Sequence, residues 1–251
     1  MTAPAIVGSW TTSGTSLGTS HSITLPSGIN DGDYVFVFGV FENDGAGGSF
    51  AVTTPSGWTL TSPGSQNAGP LHNVWRTFRK YSYASESGTT LTITTNENAV
   101  AALAAVRVDS FNGAPYSDGV LVNGGSFSFT GANPANAVWS DGPWDTLVFQ
   151  IFGLNDTTPT FSALIAPSGY ILDVDVLSTG LGYGGGTHNA KTRLGVAHKT
   201  IAAMTSEDAG SWTGYDAGVS ALQPLTVTLH ITETIPVVTT QTYWGINSTL
   251  M

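Results

Sequence analysis

The residues able to do chemistry in this chain are few and scattered. Five histidines are present, His21, His72, His188, His198 and His230, and none falls in an HxH or HExxH spacing. A zinc site therefore has no motif behind it, since such sites place ligands at short fixed intervals. His198 and His230 lie on two expected strands that could be neighbours, and ordinary strand histidines are the better reading of both. Carboxylates gather in NDGD (30–33), FENDG (41–45) and TSEDAG (205–210). Glycoside hydrolysis would need two of them facing each other across a groove. Asp and Asn at such positions also make Asx turns and tight hairpins, which is the expectation here. Calcium binding by the NDGD or FENDG loop lacks the ligand spacing of an EF-hand. GxSxG, P-loop and dinucleotide fingerprints are absent, and so is cysteine, which removes thiol nucleophiles, disulfides and Cys-ligated zinc. No catalytic residue, metal ligand or cofactor site is assigned from the sequence, and the expectation is a protein that is not an enzyme.

Aromatic and loop residues offer a different chemistry, contact with a ligand or partner. Trp58, Trp75, Tyr183 and His188 in the glycine-rich GLGYGGGTHN stretch (180–189), and Trp244 near the C-terminus are the candidates. Aromatic faces stack on sugars, and loops carry recognition on rigid scaffolds.

The elements that must hold these residues read as β-strands. With 31 Gly and 12 Pro, turn signals such as DG, PSG and GGG recur between short β-rich runs. TLTITT (90–95) and PLTVTLHIT (224–232) alternate apolar and polar side chains, as half-buried strands do. YVFVFGVF (34–41) is apolar at both parities and predicts a central strand covered on both faces. AVAALAAVRV (99–108) is rich in Ala, which favours helix, but it lacks a capping box and runs into the turn-like VDSFNG; we read it as a strand.

Two copies of one pattern are visible. Asp33 of GDYVFVF and Asp145 of WDTLVFQ stand 145 − 33 = 112 positions apart, and the same offset relates Asn43-Asp44 to Asn155-Asp156 and Pro55 to Pro167. Those two prolines open TTPSGWTL and IAPSGYIL. In each turn Pro55 or Pro167 fixes the first position, Gly57 or Gly169 supplies positive φ, and Trp58 or Tyr170 starts the next strand as a core anchor. Glu86 and Glu207 recur after the matching lysines Lys80 and Lys199. Repeated carboxylates fit a structural role better than a catalytic one, because turn chemistry must be duplicated and an active site need not be. The fold expectation is all-β: a tandem duplicated antiparallel β-sandwich, Ig-like or jelly-roll-like, with copies at 1–113 and 114–233 and a C-terminal arm at 234–251. Whether the copies form separate sandwiches or share one core stays open. The arm carries no charge after Glu233 and is expected to dock on its own domain or on a neighbouring subunit.

Charge excludes some partners. Acids outnumber bases 17 to 7, a formal charge of −10, so nucleic-acid binding, which requires a basic face, is not expected. The bases of WRTFRK, Arg76, Arg79 and Lys80, are read as a solvated strand face. No signal peptide and no apolar run of spanning length is visible, so neither membrane insertion nor signal-directed export is expected. The sequons NDT (155–157) and NST (247–249) matter only in a secretory setting.

The order LPSGINDGDYVFVF, TTPSGWTL, VWRTFRKYSYASESGTTLTIT, AVAALAAVRVDSFNGAP, followed by APSGYIL and RLGVAHK, resembles a diffuse group of tailed-bacteriophage virion structural proteins. The resemblance spans roughly residues 22–232. It implies a particle component: capsid decoration, or a tail or fibre protein. It implies assembly in the bacterial cytoplasm, release by lysis, a homo-oligomer (trimer or ring), contacts with other virion proteins and, for a receptor-binding version, a host cell-surface glycan. It supplies no catalytic residues.

Overall fold

The computed structural model describes residues 4–43, 50–68, 71–109, 137–138, 144–156, 162–180, 191–215 and 225–232. These residues form an all-β structure without α-helix. Its strands are β1 (Thr11–Gly14), β2 (Gly18–Thr24), β3 (Tyr34–Asn43), β4 (Thr59–Ala68), β5 (Leu71–Tyr81), β6 (Thr90–Val108), β7 (Ala137–Val138), β8 (Trp144–Asp156), β9 (Ile171–Leu177), β10 (Lys191–Met204), β11 (Ser206–Glu207) and β12 (Leu225–Thr232). A short 3-10 turn, Ala84–Glu86, separates β5 from β6.

Two antiparallel sheets account for most of the described residues. The first has the order β1-β6-β3-β5-β4, with β2 pairing the earlier half of β6; the second has the order β12-β8-β10-β9. The small β7–β11 pair stands apart. All ten residues of β3 are buried, as its two-sided apolar pattern requires. Phe36, Phe38 and Val40 point toward the second sheet; Val35, Val37 and Phe41 point away from it. The Ala-rich run is the later half of β6. It pairs β3 on one edge and β1 on the other, and Ala104 lies opposite Phe38 and Ala102 opposite Val40. Pairing on both edges overrides the helical preference of Ala, and small side chains there make room for β10 and β9 to cross over β6.

The main core lies between the sheets. It joins Phe36, Phe38, Trp75 and Ala104 of the first sheet to Leu147, Phe149, Leu194 and Leu229 of the second. Residues on both sides of position 113 thus fill one interior. Each outer face is covered in turn. Ile23, Leu25, Ile29 and Val52 cover the first sheet; Leu164, Tyr170, Ala209 and Trp212 cover the second. At the β1–β9 side the sheets are tied by the Gly180 amide donating to the Thr15 carbonyl at 3.3 Å and the Thr179 hydroxyl donating to the Gly14 carbonyl at 3.2 Å.

Both Pro-Ser-Gly turns form as the sequence predicts. The Trp58 amide donates to the Pro55 carbonyl and the Tyr170 amide to the Pro167 carbonyl, each at 3.1 Å. Gly57 and Gly169 have φ of 78° and 83°, the left-handed region a type II turn needs at its third residue.

Candidate functional site at one end of the sheets

The strand register gathers several chain connections at one end of the molecule. β3 and β8 end there, β10 begins there, and β9 runs toward it. Segments 44–49, 157–161 and 181–190 adjoin the ends of β3 and β8 and the start of β10 in the sequence and lie outside the described residues.

A polar cluster underlies this end. Period-two alternation continues past Val40, so Glu42 follows Phe36 and Phe38 onto the face between the sheets, where it is fully buried. Its Oε2 accepts a hydrogen bond from the Thr192 hydroxyl of β10 at 3.3 Å, and the Thr192 amide donates to Ser178 Oγ at 3.1 Å. The Glu42 Oε1 is buried and has no hydrogen-bond partner among the described residues. Burial pushes the Glu42 carboxyl up to about 8, so it is mostly protonated at neutral pH. On the opposite face of β3, the Asn43 amide donates to Glu97 Oε2 at 3.0 Å. His21 is fully buried beside it, its Nδ1 2.8 Å from the Thr15 hydroxyl and its Nε2 3.4 Å from that of Thr95. Burial lowers its pKa, which favours the neutral ring, and Phe41 meets it edge to face. Glu42 and Glu97 are thus held on opposite sides of one strand rather than facing each other across a groove, which is not the arrangement glycoside hydrolysis uses.

The recurrent carboxylates have structural partners. Glu86 pairs with Lys80, and Glu207 with Lys199 at 2.8 Å. Each lysine lies beneath a Pro-Ser-Gly turn: Lys80 Nζ is 3.7 Å from where a Cβ on Gly57 would stand, and Lys199 Nζ 3.9 Å from that point on Gly169. The Tyr170 hydroxyl donates to Glu207 at 3.1 Å and accepts from the Gln150 amide at 3.3 Å, and Lys199 sits over the Tyr170 ring. Burial, chiefly, raises the Tyr170 phenol well above its ordinary range. Asp33 pairs with Arg107 at 3.1 Å and accepts the Asn30 amide, whereas Asp145 accepts the Ala203 amide at 3.0 Å beside the irregularity in β10. Asp44 and the Asp156 side chain lie outside the described residues.

The candidate contact residues separate. Trp75 is 4% exposed inside the inter-sheet core, and that burial withholds it from a ligand. Trp58 is half-buried against the outer cluster of the first sheet. Tyr183, His188 and Trp244 lie outside the described residues. The strands of His198 and His230 are not neighbours, because β8 runs between β10 and β12. His198 instead bonds Asp173 through Nδ1 at 2.6 Å. Among the described residues, no group of three His, Asp or Glu side chains could hold a metal ion.

Three buried polar residues escaped the sequence reading: Glu42, His21 and Arg193, whose guanidinium clamps Asp175 with two bonds of 2.6 Å. Parity was the available signal for the first two. Glu42 continues the inward set of β3, and His21 alternates with Ile23 and Leu25.

Comparison with protein-family models, with curated proteins and with solved structures finds no match for this chain.

Proposed function

We propose that this chain is a non-enzymatic structural protein of a bacteriophage particle, exposed on its surface. In this reading it decorates the capsid as a cement protein, or forms a module attached to head or tail that stabilises the assembly. The observation that carries the reading is the single interior shared by two sheets. A slab covered on both outer faces, its turns braced by Lys–Glu pairs, is a rigid building block. The resemblance in the sequence supplies the particle.

The same reading takes the chain as a tandem duplication. The order β6-β3-β5-β4 matches β12-β8-β10-β9 strand for strand, and Lys80–Glu86 under one Pro-Ser-Gly turn matches Lys199–Glu207 under the other. Residues 234–251 then form an arm beyond the second copy, and subunits associate as a trimer or ring.

Antibody against the recombinant protein, followed by gold labelling of purified particles, tests the proposal. Gold spread over heads supports decoration. Gold confined to tails moves the protein to fibre or baseplate. Unlabelled particles would sink the virion reading. The ends of β3, β8 and β9 meet the start of β10 at one end of the described structure, which favours a second reading in which the residues between these strands in the sequence, Tyr183 and His188 included, recognise a host surface glycan. Retention of the full chain on a glycan array, lost on substituting Tyr183→Ala, would select it.

A further inference from the structure

Three tyrosines stand in a row at the end of the first sheet opposite Glu42. Tyr34 opens β3 and is 8% exposed; Tyr81, its partner across the ladder at the end of β5, is 42% exposed, and Tyr83 is 56% exposed. Each ring meets the next edge to face. The Tyr34 and Tyr81 centroids are 5.4 Å apart at 79°, and those of Tyr81 and Tyr83 6.4 Å apart at 88°. Both separations lie in the range where aromatic edges and faces attract. The outer two rings therefore form one contiguous surface, anchored on a buried third.

The backbone beneath them is held in place. Glu86 Oε2 accepts the Tyr83 amide at 3.2 Å, Asp31 Oδ1 accepts the Ala84 amide at 2.8 Å, and the Ser82 amide donates to the Asp33 carbonyl at 2.8 Å. Packing does not demand tyrosine at these positions. β10 holds the place in the second sheet that β5 holds in the first, and Lys80 and Lys199 mark the same register beneath their turns. The three residues after each lysine run exposed, buried, exposed: Tyr81, Ser82 and Tyr83 in one strand, Thr200, Ile201 and Ala202 in the other. Threonine and alanine suffice there, so the two tyrosines are an addition that the fold does not explain.

Size and charge select the occupant. At their exposures the two rings offer about 200 Å². A stable protein partner buries roughly 1,200–2,000 Å², so the surface suits something smaller. Lys80 is paired with Glu86, and Arg79, which shares Tyr81's face of β5, is also engaged, so neither base is free for an anion. The exposed acid at the rim is Asp31, whose Oδ1 is taken by Ala84 and whose Oδ2 is left to accept a hydroxyl. Tyrosine brings an apolar face and a polar tip on a side chain that loses little freedom on binding. We propose that Tyr81 and Tyr83 form a stacking site for a neutral pyranose sugar, with Asp31 accepting one of its hydroxyls. The site is independent of the particle assignment and uses neither Tyr183 nor His188.

The full chain is applied to an array of neutral, sialylated and sulfated oligosaccharides. Retention on at least one neutral oligosaccharide is expected. The variant Tyr81→Thr with Tyr83→Ala carries the residues that β10 has at the same places, so it should keep its near-ultraviolet dichroism and nearly the same thermal midpoint. Its retention should fall by about tenfold or more, as the loss of two aromatic contacts implies, whereas Tyr183→Ala should leave retention unchanged. No neutral oligosaccharide retained, or retention equal in the double variant, overturns the proposal. Retention lost only in Tyr183→Ala overturns it as well, and supports the second reading above. In the chain carrying carbon-13 tyrosine, methyl pyranosides should shift the Tyr81 and Tyr83 resonances. Shifts produced by tetramethylammonium and by no pyranoside would give the site to a cation and overturn the sugar.

Discussion

At the scale of single residues, Glu42 is the group whose chemistry most affects the molecule. It bridges the sheets through Thr192, yet it is fully buried, and among the described residues no salt bridge is made by it and its Oε1 has no hydrogen-bond partner. The folded protein therefore keeps the proton that the unfolded chain releases. The folded pKa is raised, so the stabilisation is complete below the unfolded value near 4.5 and is lost as pH rises toward about 8. Across that window this one group lowers stability by about 1.4 kcal/mol per pH unit. Glu42→Gln keeps an acceptor for Thr192 and needs no proton. It should stabilise the protein by about 1–3 kcal/mol at pH 7, with little or no gain near pH 4. Urea unfolding of both proteins from pH 4 to 9 measures this directly; parallel stability profiles would show that Glu42 is ionised in the folded state.

At the scale of elements, the close approach of the two sheets is set by small residues. Gly153 of β8 faces Val40 of β3, and a Cβ there would lie 2.8 Å from Val40 Cγ2. Gly153→Ala should cost about 1–3 kcal/mol, because either a packed valine or a whole strand must shift. Val40→Ala alone opens a cavity and costs a similar amount. Together they should cost less than the sum of the two, as neighbours sharing one volume do, and a double-mutant cycle by urea unfolding reads the coupling. Strict additivity would place the two residues out of contact. Element identity was legible in the sequence for physical reasons visible in these strands. β3 announced its two covered faces by apolar residues at both parities, and the earlier half of β6 announced its single buried face by placing Leu91, Ile93 and Thr95 in step. The turns were legible because only Gly fits their third position. Glu42 was not, because FENDG has the composition of a turn, and composition does not say where a strand stops; β3 continues through Asn43. Nor was the β10–β12 separation legible, since strand order follows from long-range pairing that no local pattern encodes.

The whole molecule poses the question that periodicity left open, whether the two halves stand alone. Phe36, Phe38 and Trp75 are buried against Phe149, Leu194 and Leu229, so neither sheet has a water-facing inner surface. Cutting the chain between the sheets would expose an apolar face on each fragment, aromatic-rich on the first and mainly aliphatic on the second, larger than a soluble monomer tolerates. The outer clusters around Ile23 and Trp212 give each sheet a second layer, but that layer covers the other face and cannot replace the missing one. Two independent domains would melt in two steps; one interior shared by both sheets couples them into a single transition. Scanning calorimetry of the full chain should therefore show one peak whose calorimetric and van't Hoff enthalpies agree. Fragments 1–113 and 114–251 expressed separately should aggregate or bind a hydrophobic dye, and should recover native-like near-ultraviolet dichroism only when refolded together. Two resolved calorimetric transitions, or a soluble and cooperatively folding 1–113, would mean that the inter-sheet contact is a docking interface between finished domains rather than the core on which both depend.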